Sequence, residues 1–168
     1  MKCSECGGQV EVNPNAVRRY DIGGLPHVEL SGIEVSRCPN CGVEDVTIPR
    51  IEELHRLLAG IFIRKDTILA PSEIRFLRKF VGLSTADFAQ YMGKTRETVS
   101  RWETGKTPMG PSADRLLRLL VVTKAPVQDY SVDTLKEIKE KAPKRPARVG
   151  MMVGRHGWRP AKTKVPAG

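Results

Sequence analysis

The sequence predicts an α+β protein: a small antiparallel β module, then an all-α bundle, then a disordered basic tail. Short segments of alternating apolar and polar residues fill residues 1–49, and they lie between two pairs of cysteines. Apolar residues recur at helical spacing across residues 71–123. Residues 141–168 combine prolines, glycines and cations without any acidic residue, a composition that does not form a core.

These patterns divide the chain into five segments. They are a cysteine-containing module (1–49), a helix and linker (50–70), a helical domain (71–123), an extension with a short helix (124–140) and the basic tail (141–168). In the second segment we expect a helix over Arg50–Ala59 that ends at Gly60. Residues 60–70 would then be a linker with some strand character, and residues 131–141 the short helix of the extension.

The four cysteines have the spacing of a metal site. Cys3, Cys6, Cys38 and Cys41 form the pattern C-x2-C-x31-C-x2-C, and a glycine follows each pair. Two such loops aim four thiolates at one point, which suits a tetrahedral, closed and structural zinc site. A redox dithiol, unligated cysteines or an iron site are the alternatives, and nothing in the sequence favours iron. The sequence therefore predicts a zinc-bound module.

The long spacer between the cysteine pairs predicts an inserted sheet. Short strands alternate with turns at Asn13–Asn15, Gly23–Gly24 and Ser31–Gly32, and residues 43–48 supply a further strand. So small a sheet buries little apolar area, and metal binding can supply the folding free energy it lacks, on the order of 10 kcal/mol.

The charge is distributed unevenly. The chain has a net charge of +9, but residues 1–49 contain four basic and seven acidic side chains. Residues 71–123 contain nine basic and five acidic side chains, and the tail contains eight basic ones. A basic helical domain attracts phosphate. The tail is interpreted either as a solvated end or as a second, non-specific contact with nucleic acid.

The helical domain contains two short helices around a tight turn, between Ser84 and Lys106. Ser84 and Asp87 form a capping-box-like pair at the start of the first helix, and Gly93 ends it. Thr95 caps the second helix, whose inward residues are Val99 and Trp102. This arrangement, with a polar outer face on the second helix, is typical of DNA recognition.

Eight residues are predicted to contact DNA: Thr85, Thr95, Arg96, Glu97, Thr98, Arg101, Lys106 and Thr107. Arg101 can donate to guanine O6 and N7, and Glu97 can accept from cytosine N4. The helix N-termini at Thr85 and Thr95 suit phosphate oxygens. Arg96 reaches base or phosphate, and Lys106 and Thr107 lie in the loop that would contact flanking phosphate.

Membrane insertion and catalysis are not indicated. No run of 18 apolar residues exists, and the N-terminus lacks the apolar region of a signal peptide, so we expect a cytoplasmic protein. The histidines are scattered and no catalytic constellation or open metal position is evident, so we do not expect an enzyme.

The phrase VSRWETGKTP resembles an Xre-type helix-turn-helix. With EIRFLRKFVGLS before it, SADRLLRLL after it and the two CxxC pairs, residues 1–140 resemble the MqsA family of antitoxins, which carry a YgiT-type zinc finger. The resemblance implies a homodimer that binds a palindromic operator, represses its own operon and binds a toxin protein through the zinc-containing region. It also implies zinc ligation by the four cysteines and base contact by Arg101.

The sequence departs from this family at one position that matters for DNA specificity. Glu97 lies where the family's best-known example has a base-contacting asparagine, so we expect a different operator with more G·C contacts. The alternative function is a stand-alone helix-turn-helix regulator with a structural zinc module. A toxin-like gene beside this one would separate the two hypotheses.

Overall fold

The protein forms two compact units in the computed structural model, which describes residues 1–125, 129–140 and 143–162. One unit contains residues 1–21, 26–54 and the stretch from Ala147, and the other contains residues 22–25 and 55–146. The elements in chain order are β1 (Glu11–Tyr20), β2 (Leu25–Arg37), β3 (Glu44–Thr47), α1 (Ile51–Ile63), α2 (Pro71–Phe80), α3 (Thr85–Met92), α4 (Arg96–Glu103), α5 (Pro111–Lys124), a 3-10 helix (Val132–Lys136), β4 (Val149–Gly154) and β5 (Gly157–Ala161). The expected combination of an N-terminal sheet and a helical region is confirmed.

The sheet has five strands in the order β1-β2-β4-β5, with β3 also paired to β2. Residues 28–31 of β2 pair in parallel with residues 149–152 of β4, and residues 34–37 pair antiparallel with β3. Val28, Leu30, Ile33 and Val35 of β2 are buried. The alternation that predicted strands here therefore marks the core face of the central strand.

Two of the three turns predicted between the cysteine pairs are wrong. β1 runs without a break through Asn13–Asn15, and β2 runs through Ser31–Gly32. Gly32 has a φ of 77°, and a Cβ there would lie 2.7 Å from the Val153 carbonyl oxygen of the neighbouring strand region. The glycine signal thus reflects the close approach of another strand, not a chain reversal. A turn does separate β1 from β2 at Gly23–Gly24.

The expectation of a disordered basic tail is wrong for residues 149–161. β4 and β5 form an antiparallel hairpin, and β4 extends the N-terminal sheet. Met151 and Trp158 are buried. These few apolar residues are enough to order the hairpin because its strands join an existing sheet. Pro160 is tolerated on β5 because β5 lies at the end of the strand order. Residues 141–142 and 163–168 of the predicted tail lie outside the described residues.

The hairpin is anchored beside the start of α1. The Trp158 indole Nε1 donates to the Pro49 carbonyl oxygen at 2.7 Å. Gly157, with a φ of 109°, lies against the Arg50–Glu53 ion pair so closely that a Cβ would clash with both side chains. The hairpin is therefore a built part of the sheet unit.

The helix predicted over residues 50–59 is longer than expected, because α1 continues through Gly60 to Ile63. Phe62 and Ile63 are fully buried in the added turn, and their burial outweighs the helix penalty of about 1 kcal/mol for glycine. The rest of the linker forms no strand beyond an isolated bridge between Thr67 and Lys139. No helix in the described residues has the length and apolar character needed to cross a membrane.

The helical unit packs α2 against α4 and α5, and α3 against α4. Its core includes Ile74, Leu77, Phe88, Val99 and Leu117, all of which are almost completely buried. The expected short helix of the extension is a 3-10 helix over Val132–Lys136, and Ile138 after it is buried.

A buried ionic network fixes the linker between α1 and α2. Arg118 of α5 is fully buried and pairs with Asp114 at 2.7 Å. Its guanidinium also donates to the carbonyl oxygens of Ile63, Lys65 and Thr67. Asp114 accepts the Leu69 backbone N–H at 2.7 Å. The network thus satisfies the polar backbone groups of a segment that has no regular structure.

The side chain of Glu73 extends this support to the start of α2. It accepts from the Ala70 backbone N–H at 2.8 Å and pairs with Lys65 at 2.6 Å. Glu73 and Asp114 are both fully buried, so each carboxylate depends on its partners for charge compensation.

Replacing Arg118 should destabilise the helical unit strongly. Arg118→Leu leaves the buried Asp114 carboxylate and three carbonyl groups without their donor, at a cost of about 3–5 kcal/mol. Urea unfolding followed by the helical circular dichroism signal measures the loss. The control Lys136→Ala breaks an exposed pair with Asp133 and should change stability by about 0.5 kcal/mol or less. Equal effects of the two substitutions would contradict the structural role of the network.

Candidate nucleic-acid interface and metal centre

The first helix of the predicted DNA-binding pair begins and ends as its sequence indicates. The Ser84 Oγ accepts from the Asp87 backbone N–H at 3.1 Å, and the Asp87 carboxylate accepts from the Ser84 backbone N–H at 3.3 Å. Gly93 ends α3 with left-handed backbone geometry, a φ of 59°. Both cap residues are therefore confirmed, and together they fix the turn between α3 and α4.

The second helix presents one apolar and one polar face. The Thr95 Oγ1 caps α4 by accepting from the Thr98 backbone N–H at 3.2 Å. Val99 and Trp102 are buried, whereas Arg96, Glu97 and Arg101 are exposed. The predicted inward and outward residues of this helix are therefore placed as expected.

Six of the eight predicted DNA contacts line a single open cleft of about 1020 Å³. They are Thr85, Arg96, Glu97, Arg101, Lys106 and Thr107. Thr95 and Thr98 do not line the cleft, because their side chains are used in the cap of α4. The remaining lining residues are Arg75, Arg78, Ser100, Glu103 and Thr104. The structure thus brings six of the predicted DNA-contacting residues together on one surface.

The cleft carries more positive than negative charge. Five of its lining residues are Arg or Lys, and two are Glu. The Glu97 backbone N–H, followed by the Thr95 hydroxyl, holds the pKa of the Glu97 carboxyl below its usual range. Glu97 therefore remains an anion at the start of α4, where it can accept a hydrogen bond but also repels phosphate.

Arg78 of α2 was not selected from the sequence. Arg78 is buried and forms a two-pronged pair with Glu103 of α4, at 2.5 and 3.0 Å. Its third donor contacts the Leu83 carbonyl oxygen at 2.8 Å. Arg78 thus clamps the end of α4 to α2 and positions the exposed face of that helix. No local sequence signal identifies Arg78, because Arg75 and Lys79 on the same helix look alike and are exposed.

Arg75 is a second residue that sequence analysis did not select. It is exposed on α2 and lines the same cleft as Arg101. A cation from α2 beside the recognition helix is placed to contact a phosphate that flanks the bases. The basic content of α2 was the available signal for this residue.

The four cysteines form the second candidate site. Their sulfur atoms all lie within 4.8 Å of one another. The Cys3–Cys41 sulfur distance is 3.6 Å and the Cys6–Cys38 distance is 3.5 Å. Sulfurs at the corners of a tetrahedron with metal–sulfur bonds of about 2.3 Å are separated by about 3.8 Å. The cluster therefore fits a single tetrahedral metal ion.

The two cysteine loops have the same backbone hydrogen bonds. The Gly7 N–H donates to the Cys3 carbonyl at 2.9 Å, and the Gly42 N–H donates to the Cys38 carbonyl at 2.8 Å. Gly7 and Gly42, which follow the two cysteine pairs, have φ values of 70° and 76°, a left-handed conformation that glycine adopts without strain. The repeated loop geometry explains why two separate segments aim their sulfurs at one point.

Two residues beside the cluster were not selected from the sequence. The Asn40 Nδ2 donates to the Cys6 sulfur at 3.4 Å. Gly8 lies so close that a Cβ there would be 3.3 Å from the Cys6 sulfur and 3.5 Å from the Cys38 sulfur. A larger residue at position 8 would thus crowd the sulfurs, and Asn40 supports their negative charge.

The neighbouring Cys6 and Cys41 thiols have pKa values shifted in opposite directions. Hydrogen bonds from the Asn40 amide and the Gly8 backbone stabilise the Cys6 thiolate and lower its pKa to about 6. The Val43 backbone N–H favours the Cys41 thiolate, but the neighbouring Cys6 sulfur and partial desolvation outweigh it and raise the pKa of Cys41 to about 12. A bound divalent metal would remove this conflict by compensating the negative charge.

Residues 74–129 match the family model for the helix-turn-helix. The matched range begins in α2 and includes α3, α4 and α5. No curated protein and no solved structure matches the chain. The match indicates a DNA-binding regulator, and the cysteine cluster can hold a metal ion.

Arg101 should contribute to DNA specificity. Arg101→Ala removes a side chain placed to donate to guanine, so binding to a preferred site should weaken by about 1–3 kcal/mol while binding to unrelated DNA changes little. Titrating a fluorescent duplex selected from a random pool, beside a scrambled duplex, separates these effects. The matched control is Arg56→Ala, on the exposed surface of α1. Equal weakening on both duplexes would show that Arg101 contacts only phosphate.

Metal binding should stabilise the cysteine loops without being required for DNA binding by the helices. Cys38→Ser removes one of two buried ligands and should abolish metal retention in elemental analysis of the purified protein. The control Ser4→Ala lies in the other cysteine loop, between Cys3 and Cys6, and supplies no ligand. The Cys38 variant should still bind duplex DNA through α4. Loss of DNA binding in that variant would contradict the separation of the two sites.

Proposed function

We propose that the protein is a DNA-binding transcriptional repressor of its own operon and the antitoxin of a type II toxin-antitoxin system. The cleft beside α4 carries the DNA-binding part of the proposal. It combines exposed Arg96 and Arg101 with the loop residues Lys106 and Thr107, within the range that matches the helix-turn-helix model. The geometry suits a short helix in the major groove with phosphate contacts at both of its ends.

Base recognition would use the first two turns of α4. Arg101 would donate to a guanine, and the ionised Glu97 would accept from a cytosine N4 amino group. Arg75, Lys106 and Thr107 would contact phosphates on either side. These assignments support the expectation of an operator with G·C pairs at the contacted positions, rather than the adenine that an asparagine at position 97 would prefer.

Zinc is the metal that the cysteine cluster suits best. Four thiolates in a tetrahedral arrangement form a closed site, which is typical of structural zinc. The four cysteine sulfurs all lie within 4.8 Å of one another, so the protein would supply all four ligands of a tetrahedral ion and leave no position for a substrate. The zinc would hold the two cysteine loops together.

A homodimer is part of the proposal because a palindromic operator requires two copies of α4. Leu116 of α5 is 43% exposed, although Leu117 and Val121 of the same helix are buried. Leu119 and Leu120 are half-buried beside it. An apolar stripe of this kind, wider than one core needs, supports an α5 surface that pairs with a second copy.

The toxin would bind the N-terminal region that contains the zinc site. Residues 1–49 carry seven acidic and four basic side chains, which suits a basic partner such as a nucleic-acid-cleaving toxin. β1 is the first strand in the sheet order, and Val12 and Val17 on it are exposed. Apolar side chains on an outer strand support a protein-binding surface.

Co-expression with the product of the adjacent gene tests the proposal. A tagged chain should retain that product through purification, and expression of the chain should restore growth to cells that the product arrests. Arg101→Ala should leave this rescue intact, since it alters the DNA cleft only. A chain that binds DNA but neither retains the product nor restores growth would be a stand-alone helix-turn-helix regulator with a structural zinc module.

A further inference from the structure

The β4–β5 hairpin carries a group of cations that the proposed function does not use. Arg148, Arg155, Arg159 and Lys162 are exposed, and His156 is exposed beside Arg155. No acidic residue exists between residues 141 and 168. None of these four cations forms an ion pair within the described parts of the chain, unlike the exposed Arg18, which pairs with Glu44. The hairpin therefore offers positive charge that no ion pair within the described residues neutralises.

The strand geometry displays these cations along the ribbon. Arg155 and His156 form the turn between β4 and β5, whereas Arg148 and Lys162 flank its open end. Arg159 lies opposite Met152, on the face turned away from the buried Trp158, because neighbouring side chains alternate. Arg148 and Arg155 are separated by about 23 Å along an extended strand. That length corresponds to about seven base pairs of duplex DNA.

The ribbon is held in place before any partner binds. β4 pairs with residues 28–31 of the central strand β2, and Trp158 is fixed to the Pro49 carbonyl. The cations are therefore presented by ordered strands and not by a flexible tail. Binding through a preorganised element costs less conformational entropy than binding through a disordered one.

We propose that the β4–β5 hairpin is a second, sequence-independent contact that binds the phosphate backbone of duplex DNA. Residues 147–162 contain one Trp, Tyr or Phe, which is Trp158. Duplex DNA is favoured over single strands because Trp158 is only 5% exposed and cannot stack on an unpaired base. Its indole N–H is already bonded, so the hairpin offers no Trp, Tyr or Phe ring for stacking unpaired bases, and His156 is the one exposed ring in its turn. The turn of the hairpin is cationic and lies between Gly154 and Gly157, which suits contact with phosphates.

DNA is favoured over an acidic protein surface because the same chain carries the helix-turn-helix. Once α4 binds a duplex, the hairpin experiences that duplex at the effective concentration set by the connection between them. A modest phosphate contact then contributes to total affinity, although it would be weak alone. This step rests on the proposed DNA-binding function, and the experiment below separates the two.

The test compares two triple variants with the same change in charge. Arg148, Arg155 and Arg159 are replaced by Gln in one full-length variant, and Lys2, Arg19 and Arg37, which are exposed elsewhere in the sheet unit, are replaced by Gln in the control. The dissociation constant for a short mixed-sequence duplex is measured over a range of salt concentrations. The hairpin variant should bind more weakly at low salt, and its slope of log affinity against log salt should fall by about 0.9 per lost contact. The control should retain the wild-type slope.

The outcomes are distinguishable. Equal slopes in the wild type and the hairpin variant, with both variants as stable as the wild type in thermal unfolding, would overturn the proposal and leave an acidic protein as the partner of these cations. Equal loss in the two variants would also overturn it, because the effect would then come from net charge. If Arg101→Ala weakens specific binding while the hairpin variant does not change the slope, the proposed function stands and this inference fails. Absence of any duplex binding by the wild type would overturn both.

Discussion

The Arg118–Asp114 pair is the interaction on which the helical unit depends. It lies on α5, fully buried, and supplies donors and an acceptor to the backbone of residues 63–69. With that segment fixed, Glu73 caps the start of α2. Arg78 of α2 then clamps Glu103 at the end of α4. Two buried ion pairs, Arg118–Asp114 and Arg78–Glu103, thus fix the two sides of α2. They explain how the exposed residues of the eight-residue helix α4 acquire a defined position.

The sheet unit has a small apolar core, and other interactions than buried ion pairs stabilise it. Its N-terminal segments bring four sulfurs within bonding distance of one point, where a metal would supply binding free energy that apolar burial does not. Its C-terminal hairpin adds the large buried side chains of Met151 and Trp158 to the apolar core that residues 1–49 supply. Sheet formation therefore depends on residues at both ends of the chain. β2 pairs in parallel with β4, and the chain between these two strands contains helices α1 to α5.

Local signals predicted the features that local chemistry determines. Ser84, Gly93 and Thr95 act within one helical turn, and the cysteine loops repeat one backbone geometry, so their sequence patterns were sufficient. Features that depend on distant segments were missed. The hairpin looked disordered because its few apolar residues become a core face only beside β2. Asp114 and Arg118 were not selected as buried residues, although they share a helical phase with the buried Leu117 and Val121. That shared phase was a usable signal.

In the proposed function, the cleft beside α4 binds a specific operator as part of a repressor. A nuclease footprint of the full-length chain on the DNA upstream of its own gene tests it most directly. We expect two protected half-sites related by a palindrome, with their centres about 34–36 Å or one helical turn apart, and with G·C pairs at the contacted positions. Protection that covers the probe uniformly, or none at salt concentrations that suppress non-specific binding, would contradict operator recognition by this cleft.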